Sequence, residues 1–437
     1  MISTEYNFNY FNTLKITFGF LLFAFVFKSL LKTPSVMIEF VLLALLLIFS
    51  LLYAAERLSI KSGPTLIFTF FLIYILIHTI AATFIRPLLV DASFFTILQY
   101  NVLEFRVSTI SYFLPIIFIP LINSNIKKAE KFIIIIIKIS IILTVIEQFL
   151  SLIGFRSFFE HFYAPSGVVT DNQIGAKSLG LYRIWGVVGS PQLLGVFHVI
   201  TLFYLIHNKD KKWIPLCLLA IFFSTSKTAY IILLLVGLLY LLYKRMYVTL
   251  MVISLITILS IVASLNYYMY LTENMSDAYP AFQKFIGSIL GYTILLFNVA
   301  EESNPQKFMP GGPMYLLINY YTNNFSQAFL GKGLTYSFMH DHLMASSGLL
   351  SYYYLTSDFY ILTFFDQYGL LGLLLLLYLF VIYPLYVLLK GGNCLYFVPI
   401  IFFLSMFHYP PHIPKIMMLM ASYPLYLLYF DNRSNVN

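Results

Sequence analysis

The chain has 437 residues, of which 60% are apolar, 10% are charged and 2 are cysteines, and its formal net charge is +8. A soluble domain needs more polar surface than this, so the composition excludes an ordinary soluble enzyme and, because disorder requires low hydrophobicity, a disordered chain. Cys217 and Cys394 lie in separate apolar runs and indicate neither a disulfide framework nor a cysteine-based metal site. The class that remains is an integral membrane protein.

Apolar runs of the length that a membrane-spanning helix needs, about 20 residues, recur along the chain. They lie near 14–31, 35–55, 64–85, 107–124, 132–154, 184–206, 247–265, 369–389, 394–410 and 414–430. A longer apolar stretch over 213–243 is broken at Ser224–Lys227, and two short helices there would place the basic residues at its two ends on one side of the membrane. The sequence therefore predicts an all-α, polytopic integral membrane protein with about 12 transmembrane helices.

Lysine and arginine predict the orientation, since short cytoplasmic loops of membrane proteins carry an excess of both. If the N-terminus is cytoplasmic, so is the C-terminus, and the segments near 155–183 and 266–357 lie outside. The chain then divides into a membrane region (1–265), one large, partly helical outer loop (266–357) and a C-terminal membrane region (358–437). The basic residues of the cytoplasmic turns are Arg57, Lys61, Lys127, Lys128, Lys131, Lys209, Lys211, Lys212, Lys244, Arg245, Lys390 and Arg433.

Four cations near the outer ends of the predicted spans are candidates for binding an anion, because charged groups are costly within a membrane and Arg and Lys both bind phosphate. Arg183 precedes a span whose first residues include several glycines and a proline, which allow kinks and close helix packing. Lys227 ends the polar break on the same outer side. Arg86 and Arg106 bracket another outer loop, where the alternative is a role as interfacial anchors.

Two further charged residues lie inside the predicted span 132–154. Lys138 is close enough to the inner edge to extend its ammonium group to the cytoplasm. Glu147 lies near the outer end, where we expect it to face a cavity or to cap a partner.

Acid–base candidates lie in and after the large outer loop. His340 and His342 flank an aspartate, a pattern suited to proton transfer or to metal binding. No third or fourth ligand is evident nearby, so no metal is predicted. Asp358 follows the loop and precedes the Gly369–Gly372 segment that opens the next span. An ordinary polar loop is the alternative explanation for these residues.

Signatures of nucleotide-dependent enzymes are missing from the sequence. Gly331-Lys332-Gly333 lacks the upstream glycine and the Ser or Thr of a phosphate-binding loop, and there is no dinucleotide or zinc-protease motif. We therefore expect no cofactor, and the positive charge is assigned to membrane topology, with no nucleic acid as partner.

The chain resembles the Wzy-type O-antigen polymerases and their relatives, the O-antigen ligases. The resemblance covers most of residues 130–430 and rests on Arg183 with the small residues after it, the Ser-Thr-Ser-Lys break, and a large late loop closed by Asp358 and the Gly369–Gly372 helix start. Lys227 stands where this family more often has Arg. Asp358 stands where the ligases have His, which favours the polymerases.

The resemblance implies a glycosyltransferase of the bacterial cytoplasmic (inner) membrane that makes O-antigen or another surface polysaccharide. A sugar hydroxyl of one undecaprenyl-diphosphate-linked repeat unit would attack the anomeric carbon of another at the outer face, and the lipid diphosphate would leave. Arg183 and Lys227, supported by Arg86 or Arg106, would bind the diphosphate. Asp358 first, and His340 or His342 second, would accept the hydroxyl proton.

The implied partners are the lipid-linked repeat units, membrane lipid and a chain-length regulator protein. Two alternatives stay open. One is a ligase that transfers finished glycan to a lipid A core or another acceptor. The other is a polysaccharide transporter or a flippase for lipid-linked oligosaccharide, although transporters commonly show paired halves with matching broken helices, and this sequence shows no such symmetry.

Overall fold

The computed structural model describes residues 10–22, 35–57, 63–89, 109–121, 126–163, 177–178, 181–274, 325–331, 360–407 and 415–431. Within these ranges the chain is all-α except for two short antiparallel strands, so the all-α part of the predicted fold class is confirmed there. In chain order the helices are α1 (10–22), α2 (Ser35–Arg57), α3 (Gly63–Leu89), α4 (Ile110–Leu121), α5 (Ile126–Leu150), α6 (Arg156–Tyr163), α7 (Pro191–His207), α8 (Ile214–Phe223), α9 (Lys227–Tyr243), α10 (Tyr247–Asn274), α11 (Phe325–Leu330), α12 (Tyr360–Leu377), α13 (Tyr383–Leu389), α14 (Phe397–Ser405) and α15 (Lys415–Tyr429).

Short irregular segments join several of these helices. A π-helical turn, Ser151–Phe155, links α5 to α6, and a second, Tyr378–Ile382, links α12 to α13. A 3₁₀ turn, Gly186–Val188, precedes α7, and another, Cys394–Tyr396, leads into α14. The strands β1 (Lys177–Ser178) and β2 (Leu181–Tyr182) form a hairpin in which Lys177 pairs with Tyr182.

A helix lies in every apolar run that the sequence predicts to span the membrane. Three helical segments are individually long and apolar enough to cross a bilayer: Gly63–Ala81, Ile126–Phe159 and Gln367–Leu389. Helix α8, with 10 residues, is only about 15 Å long at the usual helical rise.

The outward faces of the helices are apolar. On α2, a stripe at helical spacing (Val41, Leu45, Ile48 and Leu52) is 53–65% exposed. On α10, Val248 and Met251 are 75% and 68% exposed. A soluble protein seldom shows continuous apolar stripes of this kind, whereas a protein surrounded by lipid does.

Three element boundaries differ from the predicted ones. Helix α7 begins at Pro191 and not near 184, because Gly186 and Gly189 take positive φ angles (52° and 74°) that end the preceding turn. Helix α10 continues past residue 265 to Asn274. Helix α12 begins at Tyr360, but Gly369 is non-helical inside it (φ 66°, ψ −172°), so a new helical segment does start at the predicted Gly369–Gly372 position.

The predicted break at Ser224–Lys227 is confirmed and forms a reversal between α8 and α9. Thr225 has a positive φ of 52°, the Tyr230 hydroxyl donates to the Phe222 carbonyl at 2.8 Å, and both helices pack against α7. The Ser226 hydroxyl donates to the Gln192 carbonyl at 3.0 Å and accepts from the Ala229 N–H at 3.2 Å, which caps α9. The starts of α7 and α9 therefore lie together.

The basic turns lie at the other ends of α7 and α9. The Tyr243 hydroxyl, at the end of α9, donates to the Gly392 carbonyl, and His207, at the end of α7, contacts Glu130 near the start of α5. We call this end of the helices the basic end. Nine of the basic residues predicted to be cytoplasmic lie within a few positions of Glu130, His207, Tyr243 or Gly392 in the chain. They are Lys127, Lys128, Lys131, Lys209, Lys211, Lys212, Lys244, Arg245 and Lys390.

Gly195 allows α7 to approach the break closely. A Cβ atom there would lie 2.6 Å from the Ala229 Cβ, the Ser224 Oγ and the Ser226 Cβ. We expect Gly195→Ala to destabilise the protein by about 1–3 kcal/mol through overpacking. Chemical unfolding of the detergent-solubilised protein measures this effect.

Gly237 provides the matched control, because it lies within α9 and a Cβ atom added there would have nothing within 4 Å of it. We expect Gly237→Ala to be neutral or stabilising, by up to about 1 kcal/mol. Equal responses of the two variants would contradict the close approach at Gly195.

Candidate functional site

The candidate site lies at the start of α7, opposite the basic end. The β1–β2 hairpin leads directly to Arg183, which is half-buried, and the 3₁₀ turn then carries the chain to Ser190 and Pro191. Ser190 has an extended backbone, and its hydroxyl donates to the Gln192 side-chain oxygen at 3.2 Å. The glycines and proline that the sequence places here thus end one turn and begin a helix next to an arginine.

A buried ion pair holds this turn in place. One Glu147 oxygen, Oε1, lies 3.5 Å from the Arg156 Nη1, and both side chains are only 6% exposed. The carboxylate also accepts from the backbone N–H groups of Trp185 (3.4 Å) and Gly186 (3.1 Å). Glu147 therefore caps the turn that follows Arg183. This agrees with the expectation that a carboxylate near the outer end of this span would cap a partner.

Arg156 also holds the turn around Arg183 in place. Its Nη2 donates to the Arg183 carbonyl at 3.1 Å, and its guanidinium lies 5.4 Å from the centre of the Tyr182 ring. Gly154, with a φ of 102°, makes the bend between α5 and α6 that brings Arg156 back toward Glu147. Arg156 thus fixes the backbone of Arg183 while neutralising the buried carboxylate beside it.

The structure brings Arg183 and Lys227 together. Lys227 is the first residue of α9, half-buried, and close enough to Arg183 for their charges to repel each other. Within the part of the chain that the structure describes, the Arg183 guanidinium forms no ion pair, since Glu147 is engaged by Arg156. Two like charges near each other repel, and an anion that binds between them is attracted to both.

The arrangement is suited to binding a phosphate-like anion. Arginine offers a planar fork of donors and lysine a point charge, and the two come from different segments of the chain, the turn that leads into α7 and the start of α9. Such preplaced cations stabilise negative charge that develops on a leaving group without having to reorganise.

The remaining predicted candidates cannot be compared with this geometry. Arg106, His340, His342 and Asp358 lie outside the described residues. Arg86 lies in α3, but its side chain is not among those described. Lys138 lies where the sequence predicts: its Nζ is 2.5 Å from Asp210 and 5.2 Å from the centre of the Trp213 ring, toward the basic end.

Two buried cations are not among the candidates selected from the sequence. One is Arg156, whose only sequence signal is a charge just after a Gly-containing bend. The other is Lys415, the first residue of α15, which is 6% exposed and donates to the Ser111 hydroxyl at 3.0 Å. The sequence indicates a special role for Lys415 even less clearly, because a lysine at the edge of an apolar run is typical of an interfacial anchor.

The described part of the large loop packs against α12. The Tyr74 hydroxyl, in α3, lies within hydrogen-bonding distance of the carbonyl oxygens of both Leu330 (3.1 Å) and Tyr368 (2.7 Å). A Cβ on Gly331 would lie 2.5 Å from the Gln367 carbonyl oxygen, and one on Gly369 would lie 2.3 Å from the Phe329 carbonyl oxygen. The predicted helix start at Gly369 is therefore also the place where α11 contacts the helices.

Comparisons of the chain with protein-family models, with curated proteins and with solved structures find no match.

Proposed function

We propose that this chain is a polysaccharide polymerase of a bacterial cytoplasmic membrane, which joins glycan repeat units carried on undecaprenyl diphosphate. The observation that carries the proposal is the pair formed by Arg183 and Lys227 at the adjoining starts of α7 and α9. In this proposal the pair binds the diphosphate of the donor and stabilises the charge that it gains as it leaves.

The proposed topology has about 12 spans, cytoplasmic N- and C-termini and an outer loop over 266–357. Two structural features support it. The basic turns share one end of the helices, as cytoplasmic turns should, and the cation pair lies at the other end. The apolar outward stripes are suited to lipid contact.

The proposed reaction needs no nucleotide, because the diphosphate already activates the donor sugar. The acceptor hydroxyl attacks the anomeric carbon, the bond to the diphosphate oxygen breaks, and the hydroxyl proton passes to a base, for which Asp358, then His340 or His342, are the proposed candidates. Arg86 and Arg106 are proposed as further cations for the diphosphate.

Tryptophan fluorescence provides a direct binding test. The chain has 2 tryptophans, and one of them, Trp185, lies in the turn after Arg183, while Trp213 lies near the basic end. In a Trp213→Phe background, Trp185 is the only reporter. We expect a polyprenyl diphosphate to change its emission saturably in detergent, and Arg183→Ala to weaken this binding by tenfold or more. A polyprenyl alcohol is the control for binding through the lipid tail alone, and an equal response to it would contradict diphosphate recognition.

Surface polysaccharide from a deletion strain, compared with the complemented strain on a gel, separates the function classes. A single repeat unit on its usual anchor indicates a polymerase. Long glycan that stays on the lipid carrier indicates a ligase. An unchanged ladder, in a strain with no second copy, would contradict both and favour the transporter.

A further inference from the structure

A cluster of cations lies at the basic end, where the turn after α9 contacts the turn after α13. The Tyr243 hydroxyl, at the end of α9, donates to the Gly392 carbonyl at 2.9 Å. Lys244 follows Tyr243 directly, and Lys390 lies two residues before Gly392. Folding therefore brings Lys244, Arg245 and Lys390 to one place from two segments that are far apart in the chain.

Both turns are tight, and their backbone groups bond to one another. After α9, Arg245 has a positive φ of 58° and its N–H donates to the Leu242 carbonyl at 2.9 Å. After α13, Gly391 has a φ of 89° and the Gly392 N–H donates to the Val387 carbonyl at 2.9 Å. These bonds satisfy carbonyl groups at both helix ends, as helix-ending turns commonly do, without the lysine and arginine side chains.

Aromatic rings lie beside both lysine side chains. The Lys244 Nζ is 4.8 Å from the centre of the Tyr243 ring, and the Lys390 Nζ is 4.3 Å from the centre of the Tyr386 ring. The faces of these rings attract the ammonium groups. Within the described ranges of the chain, neither lysine nor Arg245 forms an ion pair, and all three residues are exposed. The cluster therefore presents three positive charges to an incoming anion.

Exposed apolar side chains surround these cations. Leu389 directly precedes Lys390 and is 66% exposed, while Leu242 and Met246 flank the other turn and are 40% and 46% exposed. Cations beside exposed apolar groups are suited to the boundary between water and hydrocarbon, where each kind of group meets its preferred surroundings. A ligand that complements this surface has an anionic headgroup and apolar chains.

We propose that Lys244, Arg245 and Lys390 form a binding site for an anionic phospholipid in the leaflet at the basic end. The headgroup phosphate lies between the two turns, where the lysines act as point charges and the arginine offers its planar fork of donors. The acyl chains lie along the exposed apolar side chains, including Leu242 and Leu389. A zwitterionic phospholipid gains less from this site, because it carries no net negative charge. This inference does not depend on the proposed polymerase function.

Quenching of tryptophan fluorescence by brominated lipid tests the proposal, because bromine quenches only a tryptophan close to it. The full chain carries Trp185→Phe and Trp213→Phe, with Tyr386→Trp as the reporter, which keeps an aromatic ring beside Lys390. It is reconstituted into phosphatidylcholine vesicles that contain brominated phosphatidylglycerol or brominated phosphatidylcholine. We expect phosphatidylglycerol to be preferred about tenfold, and Lys244→Gln with Lys390→Gln to bring the preference within a factor of about three.

Two matched controls distinguish a site from a general effect of charge. Lys211→Gln with Lys212→Gln removes two exposed cations from the turn after α7, at the same end, and should leave the preference within a factor of about two. Leu259→Trp moves the reporter along α10 to a position that is 59% exposed in an apolar stretch, where we expect no preference between the two lipids.

Two results would overturn the proposal. One is a preference at the Tyr386→Trp reporter no greater than that at Leu259→Trp. The other is an equal loss of preference in the two double lysine variants. If a reporter chain does not fold, as judged by gel filtration, native mass spectrometry counts phosphatidylglycerol bound to the chain with its natural tryptophans and to its two double lysine variants. Equal numbers of bound lipid in all three would also overturn the proposal.

Discussion

Replacing Arg183 by alanine should abolish growth of the polysaccharide chain while the protein remains at its normal level in the membrane. A preplaced donor that stabilises developing negative charge is typically worth a factor of about 10² to 10³ in rate. Arg183→Lys should retain part of the activity, because the charge stays while the fork of donors is lost. The measurement is the rate at which the detergent-purified protein lengthens lipid-linked repeat units.

Lys211→Ala is the matched control, since Lys211 is an exposed cation at the basic end. We expect it to leave the rate within a factor of about two, as surface substitutions away from special features usually do. Full-length polymer in Arg183→Ala would remove Arg183 from the mechanism. A loss of polymer in both variants would indicate a general effect of charge on membrane insertion.

Replacing Glu147 by glutamine should destabilise the protein by about 3–5 kcal/mol, because it leaves the buried Arg156 without its counter-charge. The glutamine oxygen can still accept from the Gly186 N–H, so the loss reports mainly on the ion pair. Chemical unfolding in detergent measures it. In the double variant Glu147→Gln with Arg156→Gln, a substantial part of the stability should return, since no buried charge then lacks a partner.

Asp210→Asn is the control for this series, because it breaks an ion pair that is partly exposed. The Lys138 side chain is 30% exposed and the Asp210 side chain is 24% exposed. Such pairs contribute about 0–1 kcal/mol. If Glu147→Gln cost no more than Asp210→Asn, the turn after Arg183 would be held by something other than this ion pair.

Local patterns explain why much of the fold can be predicted. The run of small and hydroxyl residues at Ser224–Lys227 interrupts an apolar stretch that is long for one helix, and the chain does reverse there. The basic residues after α7 and α9 share one end because α8 is a short return helix between them. Composition and spacing suffice for these features, since each depends on residues that are neighbours in sequence.

The candidate site shows where such patterns stop being informative. Arg183 and Lys227 stand out as cations near predicted outer ends, but their proximity depends on Gly195, which allows α7 to pack directly on the α8–α9 reversal. Arg156 gives only a weak pattern, a charge just after a glycine, because its approach to Glu147 depends on the backbone of Gly154, whose positive φ bends the chain between α5 and α6.

The sequence by itself determined the all-α class, the helical runs and the clustering of basic turns, because hydrophobicity and helix-breaking residues act over a few residues. Only the tertiary structure decided which polar groups meet. Glu147 caps the turn after Arg183, and His207 pairs with Glu130, through contacts between segments far apart in the chain. Such contacts follow from how helices pack, and packing depends on the shapes of many side chains at once, which no local pattern of residues contains.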